Sequence, residues 1–177
     1  MFCGITILLL ITFSAVKYAV AQNNVNFSTY TNPIYGVTIQ YPSDWDMIPN
    51  VGNGSGYNVL ARFIPNSLES SNSFLNLDIL VDLNMNEKLF DYMNEIINQE
   101  SDFLKDYNFN IIYSTFGNVS LAGSPAYQFM YTNTAPWDTS KVDKALVIGT
   151  IIGNTGYRIS YAADLASYST YLETAKK

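Results

Sequence analysis

The sequence predicts a single α+β domain, built as an α/β/α sandwich around a central antiparallel sheet, and three patterns support this prediction. Several short stretches alternate apolar and polar residues with a period of two, as half-buried strands do. One longer stretch, 86–106, repeats its apolar residues at helical spacing. A nearly continuous apolar run, 144–152, fits a strand that is covered on both faces, which requires helices on both sides of the sheet.

The amino-terminal residues 1–21 are typical of an export signal. Residues 2–16 are mostly apolar, and Ala19-Val20-Ala21 has the small-x-small pattern that precedes a cleavage point. Lys17 follows the apolar run instead of preceding it, so an uncleaved membrane anchor is the alternative. Both alternatives predict a secreted or extracytoplasmic domain over residues 22–177, which contacts the membrane only if the anchor is retained.

The remaining elements follow from local patterns. Residues 22–29 are a polar leader, Trp45 is predicted to plug the edge of the core, and the Gly-rich stretch 51–56 is predicted to be a loop. Asn86 is a candidate N-cap for the long helix, and a shorter closing helix begins near Leu165. The predicted strands lie, in order, at 37–41, 57–64, 74–83, 110–116, 118–121, 126–134, 144–152 and 157–163.

Three stretches carry a resemblance to PsbP-like proteins, in particular to small exported members of archaeal type. Tyr35-Gly36-Val37-Thr38-Ile39-Gln40-Tyr41-Pro42-Ser43-Asp44-Trp45 resembles the opening strand and turn of that family. Leu121-Ala122-Gly123-Ser124-Pro125-Ala126-Tyr127 is similar to its Gly-x-Pro-Ala turn, and Tyr157-Arg158-Ile159-Ser160-Tyr161 to its closing hairpin. The resemblance implies an antiparallel sheet between helices. The family's proposed metal positions include histidines, which this chain lacks, so the ion-retaining role of its photosynthetic members is not implied.

Composition and charge exclude several classes of function. The formal net charge is −6, which argues against binding to nucleic acid and to anionic lipid headgroups. The chain has no histidine, which excludes a Ser-His-Asp triad and histidine-ligated zinc or copper. The one cysteine, Cys3, lies in the predicted signal, so a disulfide, a thiol nucleophile and a thiolate metal site are excluded from residues 22–177. We predict no catalytic residue, metal site or cofactor.

Carboxylates remain as candidates for chemistry. Asp78 and Asp82 share one face of a predicted strand, but strand rise separates them by about 13 Å, too far to share a metal ion or to act as an acid–base pair. Asp44 and Asp46 flank Trp45, and calcium could bind there if another loop, for example the one with Asp138, supplied more oxygen ligands. The alternative is that these are solvated acids of turns.

Aromatic residues suggest a second kind of site. Tyr35, Tyr41, Trp45, Tyr57 and Trp137 could line a groove for a sugar, a lipid headgroup or a hydrophobic small molecule. The alternative is ordinary packing in a protein of which 15% of residues are aromatic. The candidate ligand-binding residues are Tyr35, Asp44, Trp45 and Trp137.

Three Asn-x-Ser/Thr sequences are candidate glycan acceptors in an exported protein. They begin at Asn26, Asn53 and Asn118. Chance is the alternative explanation, because the chain is rich in asparagine and serine.

The sequence therefore favours a non-enzymatic exported domain that binds an unidentified partner protein or small ligand at the cell surface. A structural accessory subunit of a membrane or envelope complex is the first alternative. A hydrolase that uses carboxylates alone is the second, and it requires two carboxylates within about 5 to 10 Å of each other in one cleft.

Overall fold

The computed structural model describes residues 26–53, 57–68 and 73–175. Its strands are β1 (Phe27–Asn32), β2 (Val37–Pro42), β3 (Trp45–Asn53), β4 (Tyr57–Pro65), β5 (Leu75–Leu83), β6 (Asn110–Leu121), β7 (Ser124–Thr134), β8 (Val142–Ile152) and β9 (Thr155–Asp164). Its helices are α1 (Leu89–Phe103) and α2 (Leu165–Ala175), with a short 3₁₀ turn at Asn66–Leu68. Neither α1 nor α2 is long and apolar enough to cross a membrane.

Seven strands form one antiparallel sheet in the order β3-β4-β5-β9-β8-β7-β6. Two-residue turns connect β6 to β7 and β8 to β9. At the turn between β6 and β7, Ala122 and Gly123 have positive φ values of 51° and 78°, as a two-residue hairpin turn requires. The pairing of β5 with β9 joins the two halves at the centre. The remaining strands, β1 and β2, pair only with each other.

The two faces of the sheet are covered differently. On the face that we call the hairpin face, the β1–β2 hairpin and α2 pack over residues such as Phe63, Leu77 and Tyr161. On the opposite face, which we call the helix face, α1 packs its buried Tyr92, Met93 and Ile96 against β7 and β8. Strand β5 shows the division within one sequence, because alternate residues point to opposite faces. The residues that face the hairpin are all aliphatic: Leu75, Leu77, Ile79 and Val81. The residues that face the helix are mainly polar and include Asp78 and Asp82, with Leu80 between them.

This architecture confirms the predicted antiparallel sheet with cover on both faces, but it is mainly sheet and not a balanced α/β/α sandwich. Residues 37–41 do alternate as a half-buried strand, yet they belong to the hairpin and not to the seven-stranded sheet. Strand β1, which pairs with β2 in this hairpin, was not predicted. It begins at Phe27, within the stretch 22–29 that was predicted to be a polar leader. Tyr30 of β1 is buried against Phe63, and its hydroxyl donates to the carbonyl oxygen of Leu60.

Strand β3 was not predicted, because its sequence carries turn signals. Pro49 and Gly52 interrupt the alternation, and Asn50 has a positive φ of 51°. In the structure these residues form a bulge, where the register with β4 shifts between Pro49 and Gly52. Bulges and prolines are tolerated on edge strands, and β3 is an edge of the sheet.

Two further predictions need correction at their ends. The helix begins at Leu89 and not at 86, and Asn86 does not cap it, since its side-chain amide donates to the carbonyl oxygen of Asn84. The two short strands predicted at 110–116 and 118–121 are the single strand β6. Gly117 lies in a bulge there, with a φ of 75° and a register shift between Phe116 and Val119.

Candidate functional site

The hairpin leaves part of its face of the sheet uncovered, and an apolar groove lies there. The groove consists of two adjoining cavities of about 440 and 460 Å³. Both cavities are lined by residues of four strands: Thr38 and Ile39 of β2, Ile79 of β5, Leu121 of β6 and Ile159 of β9. This groove runs along β2 and over the centre of the sheet.

One wall of the groove is the outer edge of β2. The loop before this strand is shaped by Asn32, whose side-chain oxygen accepts hydrogen bonds from the amides of Ile34 and Tyr35, and by Gly36 with a φ of 64°. Consecutive residues line the cavities: Gly36 of the loop and then Val37 to Gln40 of β2. Because alternate side chains of a strand point to opposite faces, consecutive lining residues mean that the strand presents its edge to the groove.

The opposite wall is the turn between β6 and β7. Leu121 ends β6 there, and Ala122 is the first residue of the two-residue turn. Strands β8 and β9 supply the floor through residues such as Ile148 and Ile159, and α2 closes one end with Leu172 and Ala175. All three stretches that resemble PsbP-like proteins therefore contribute residues to the groove.

The lining of the groove is uncharged. Among the described residues, no Asp, Glu, Lys or Arg lines either cavity. Three of its hydroxyl groups donate to backbone carbonyl oxygens: Tyr157 to Tyr35 at 3.0 Å, Thr150 to Pro125 at 2.7 Å, and Tyr161 to Tyr168 at 2.7 Å. Burial raises the pKa of Tyr161 well above its ordinary value, so this hydroxyl stays protonated. The groove suits a neutral, largely apolar ligand.

A second concavity of about 680 Å³ lies on the helix face, between α1 and strands β4, β5 and β9. We call it the ion-pair cleft. Arg62 and Asp78 form a two-pronged ion pair there with both distances at 2.8 Å. Arg158 binds Asp82 in the same way at 3.0 and 3.1 Å, and the hydroxyl of Tyr92 also donates to Asp82 at 2.5 Å.

The two arginines of this cleft are each paired with an aspartate. Arg158 is 5% exposed, and the charge of Asp82 outweighs the effect of burial, so that the pKa of Arg158 is raised. Burial also raises the pKa of Glu100, whose carboxylate accepts a hydrogen bond from Tyr131 at 3.1 Å. The ion pairs join β4, β5 and β9 at the centre of the sheet, and Glu95 and Asp102 of α1 also line the cleft.

The predicted site residues lie in different places. Tyr35 lines the groove, and its carbonyl oxygen is bound by Tyr157. Trp45 is buried, with its ring edge-on to Tyr171 of α2. Asp44 is exposed next to it, and its carbonyl oxygen accepts the amide of Asn66.

Trp137 lies in the loop between β7 and β8 and is 42% exposed. Its indole N–H donates to Asp143, and the ammonium group of Lys141 lies 4.5 Å from the centre of its ring. Only Tyr35 of the four candidates therefore reaches the groove, and a ligand-binding role stays a prediction for all four. The residues that the sequence did not single out, such as Ile79, Leu121 and Ile159, look like core residues in the sequence.

The structure also shows where the acidic residues of the alternative sites lie. Within residues 26–53, 57–68 and 73–175, no three acidic side chains lie close enough to hold a metal ion, so Asp44, Asp46 and Asp138 do not form the calcium site that was left open. Asp143 and Asp164 are opposite each other on β8 and β9, and both are buried.

The two buried aspartates have different environments. Asp164 caps α2, because its oxygens accept the amide of Ser167 and the amide of Phe74, and these hydrogen bonds lower its pKa. Burial raises the pKa of Asp143, and the charge of Asp164 adds to this effect. Since Asp164 is committed to holding the helix and a neighbouring strand, the pair is explained by structure.

The candidate glycan acceptors are partly described. Asn26 and Asn118 are exposed, the first before β1 and the second in the bulge of β6. The sequence that begins at Asn53 continues at 54–55, outside the described residues. Glycosylation stays a prediction at all three positions.

Comparison with known proteins identifies a matching family and a similar fold. The sequence model of the PsbP-like protein family matches residues 14–175. The solution structure of cyanobacterial PsbP from Synechocystis sp. PCC 6803 is similar with a TM-score of 0.61 and 13% identity, over 88% of this chain and 91% of that one. The Ran-binding protein Mog1p of Saccharomyces cerevisiae gives a TM-score of 0.48 and 11% identity, over 85% and 84%. No curated protein sequence matches the chain.

Proposed function

The chain belongs to the PsbP-like family, and from this premise we propose that it is a non-enzymatic exported domain that binds a partner protein or an uncharged small ligand at the cell surface. The observation that carries the proposal is the apolar groove beside β2. It is concave, it is uncharged in the described part of the chain, and residues of all three family-like stretches line it. Sites of this form favour ligands that are held by apolar contact.

The export part of the proposal rests on the amino-terminal sequence. An apolar stretch followed by Ala19-Val20-Ala21 is typical of a signal that is removed on export. The net charge of −6 makes nucleic acid an unfavourable partner. Contact with the membrane is proposed only through this segment, if it is retained.

A non-enzymatic role is supported by the commitments of the acids. Asp78 and Asp82 bind arginines, and Asp164 accepts backbone amides. The hydroxyl of Tyr92 also donates to Asp82. A general acid or base needs a free geometry toward substrate, which these contacts oppose. The groove, where a ligand fits best, has no acid in its described lining.

One observation favours the accessory-subunit alternative. Phe90 of α1 and Phe116 of β6 are 49% and 46% exposed, and their rings meet edge to face at 5.6 Å. They lie at the outer edge of the sheet, away from the groove. Exposed apolar pairs of this kind are found at contacts between subunits.

A neutral fluorescent probe tests the proposal. N-phenyl-1-naphthylamine brightens when it enters an apolar site, and we expect it to bind the protein. Leu121→Glu places a charge in the wall of the groove and should weaken probe binding about tenfold or more, because burying an unpaired charge is costly. Leu83→Glu is the matched control, since Leu83 is 42% exposed at the end of β5 and does not line the groove. Equal loss in both variants, or no probe binding, would contradict the proposal.

A further inference from the structure

The register of the β1–β2 hairpin determines which backbone groups of β2 face the groove. The amide of Ser43 donates to the carbonyl oxygen of Asn26 at 2.9 Å, just beyond the last paired residues, Phe27 and Pro42. In an antiparallel pair, residues bonded to each other alternate with residues whose backbone groups point outward. Counting from Ser43, the residues bonded to β1 are Val37, Ile39 and Tyr41.

Thr38 and Gln40 therefore direct their N–H and C=O groups away from β1. Strand β2 pairs with no other described strand, so these four groups have no partner in the sheet. Both residues line the groove. Pro42, the next outward position, has no N–H to satisfy. The apolar groove thus has a polar edge with two donors and two acceptors at regular spacing.

We propose that the groove binds an extended, uncharged segment of a partner protein, which adds to β2 as a third strand of the hairpin through Thr38 and Gln40. The inference rests on the proposed function and names its ligand. An added strand supplies the missing backbone partners and lays alternate side chains on the apolar floor. An acyl chain would fill the floor but would offer no hydrogen-bond partner to these four backbone groups.

The size and charge of the groove define the segment. The lining along β2 spans Gly36 to Gln40, and five extended residues cover about 17 Å. Since no charged residue lines the cavities in the described chain, a charged side chain of the ligand would be buried without a partner. The segment is therefore about five residues long and apolar at alternate positions.

The first experiment selects peptides and then tests how they bind. A phage-displayed library of random linear dodecapeptides is panned on the whole protein, and enriched sequences are synthesised. We expect alternating apolar sequences. N-methylation at alternate residues in one register should weaken binding about tenfold, because it removes the N–H groups that pair with β2, while methylation in the other register should have little effect.

The second experiment changes the protein. Thr38→Pro deletes an outward N–H, and proline is tolerated at such positions of edge strands, so the fold should be kept. This variant should bind the selected peptides about tenfold more weakly, whereas Thr38→Val, which keeps the N–H, should bind as the native protein does. Circular dichroism and the urea midpoint of both variants verify the fold, and N-methylated peptides provide the same test without any mutation.

The outcomes separate this inference from the proposed function. Peptides that respond to N-methylation in one register and to Thr38→Pro support both. If no peptide is enriched, or if enriched peptides ignore both changes, while N-phenyl-1-naphthylamine still binds in a manner sensitive to Leu121→Glu, the strand-addition inference is wrong and the proposed function stands. If neither the peptides nor the dye respond to Leu121→Glu, both are wrong.

Discussion

The apolar groove and the ion-pair cleft lie on opposite faces of the same central strands, and they differ in how their polar groups are used. In the cleft, Asp78 and Asp82 of β5 bind Arg62 and Arg158 in two-pronged pairs. In the groove, the side-chain hydroxyls bind backbone, and the backbone groups of the β2 edge are the ones without strand partners. The ion-paired groups of the cleft are thus committed to each other, whereas the outward backbone groups of the β2 edge are open to a ligand.

We therefore expect changes in the ion-pair cleft to affect mainly stability and changes in the groove to affect mainly binding. The ion pairs join neighbouring strands of the sheet, and the hydroxyl of Tyr92 joins α1 to Asp82, so changes there should cost folding free energy. The groove is a place where packing is incomplete, so changes at its rim should cost little stability and should alter binding. Each variant below tests one side of this division.

The largest effect is expected for Asp82→Ala. This change leaves the guanidinium of Arg158 buried without its partner and removes the acceptor of the Tyr92 hydroxyl. Breaking a buried ion pair from one side costs about 3–5 kcal/mol, which urea unfolding would measure. Asp78→Ala is the matched control: the side chain of Arg62 is 30% exposed, and the loss should be about 1 kcal/mol. Equal losses in the two variants would show that burial of the pair is unimportant.

Trp45→Ala should cost about 3 kcal/mol, because Trp45 is 5% exposed on the hairpin face but lies outside the groove. The lower end of the range for a buried tryptophan is expected, since neighbours on the edge strand β3 can partly fill the space. Binding of N-phenyl-1-naphthylamine should be retained. Trp137 is 42% exposed. Trp137→Ala should therefore cost less than about 1 kcal/mol, as substitutions of surface residues usually do. A Trp45→Ala variant that is fully stable but has lost the probe would make Trp45 a binding residue.

The smallest effect is expected for Asp143→Asn, and it should depend on pH. Burial and the charge of Asp164 raise the pKa of Asp143 in the folded protein, so the folded state holds this proton more tightly than the unfolded state. The contribution of Asp143 to the free energy of unfolding is therefore present at low pH and is lost as pH rises through the raised pKa. The neutral side-chain amide of the variant carries no buried charge at any pH. The free energy of unfolding of the variant should therefore rise relative to that of the native protein between pH 3 and 7. A difference that stays constant over that range would contradict the raised pKa.

Much of the fold could be predicted from the sequence, because period-two alternation and helical spacing are local signals. They identify β5, β7, β8 and α1, and they place Asp78 and Asp82 on one face, which the structure confirms. The failures have local causes too. Pro49 and Gly52 gave β3 the appearance of a loop, and alternation in β2 could not show that its only partner is β1.

The site was harder to predict than the fold. The groove is lined mainly by aliphatic residues from five strands and α2, and these residues have the pattern of ordinary core positions. What makes them a groove is the place where the hairpin ends on the sheet, and this depends on contacts between distant parts of the chain. Tyr35 was found because an aromatic residue beside a turn is a conspicuous signal. The unpaired edge of β2 has no sequence signal at all.

The central pairing of β5 with β9 has a consequence for the order of folding. It places Leu75 opposite Ala163 and Leu83 opposite Thr155, whereas the pairs within β3–β5 and within β6–β9 are neighbours in the chain. Contacts between distant segments form slowly, so each half should collapse first and the two should join last. Until they join, the edge of β5 can pair with strands of other chains. The ion pair between Asp82 and Arg158 of β9 also cannot form before then. Aggregation during refolding should therefore be governed by the lifetime of the half-assembled sheet.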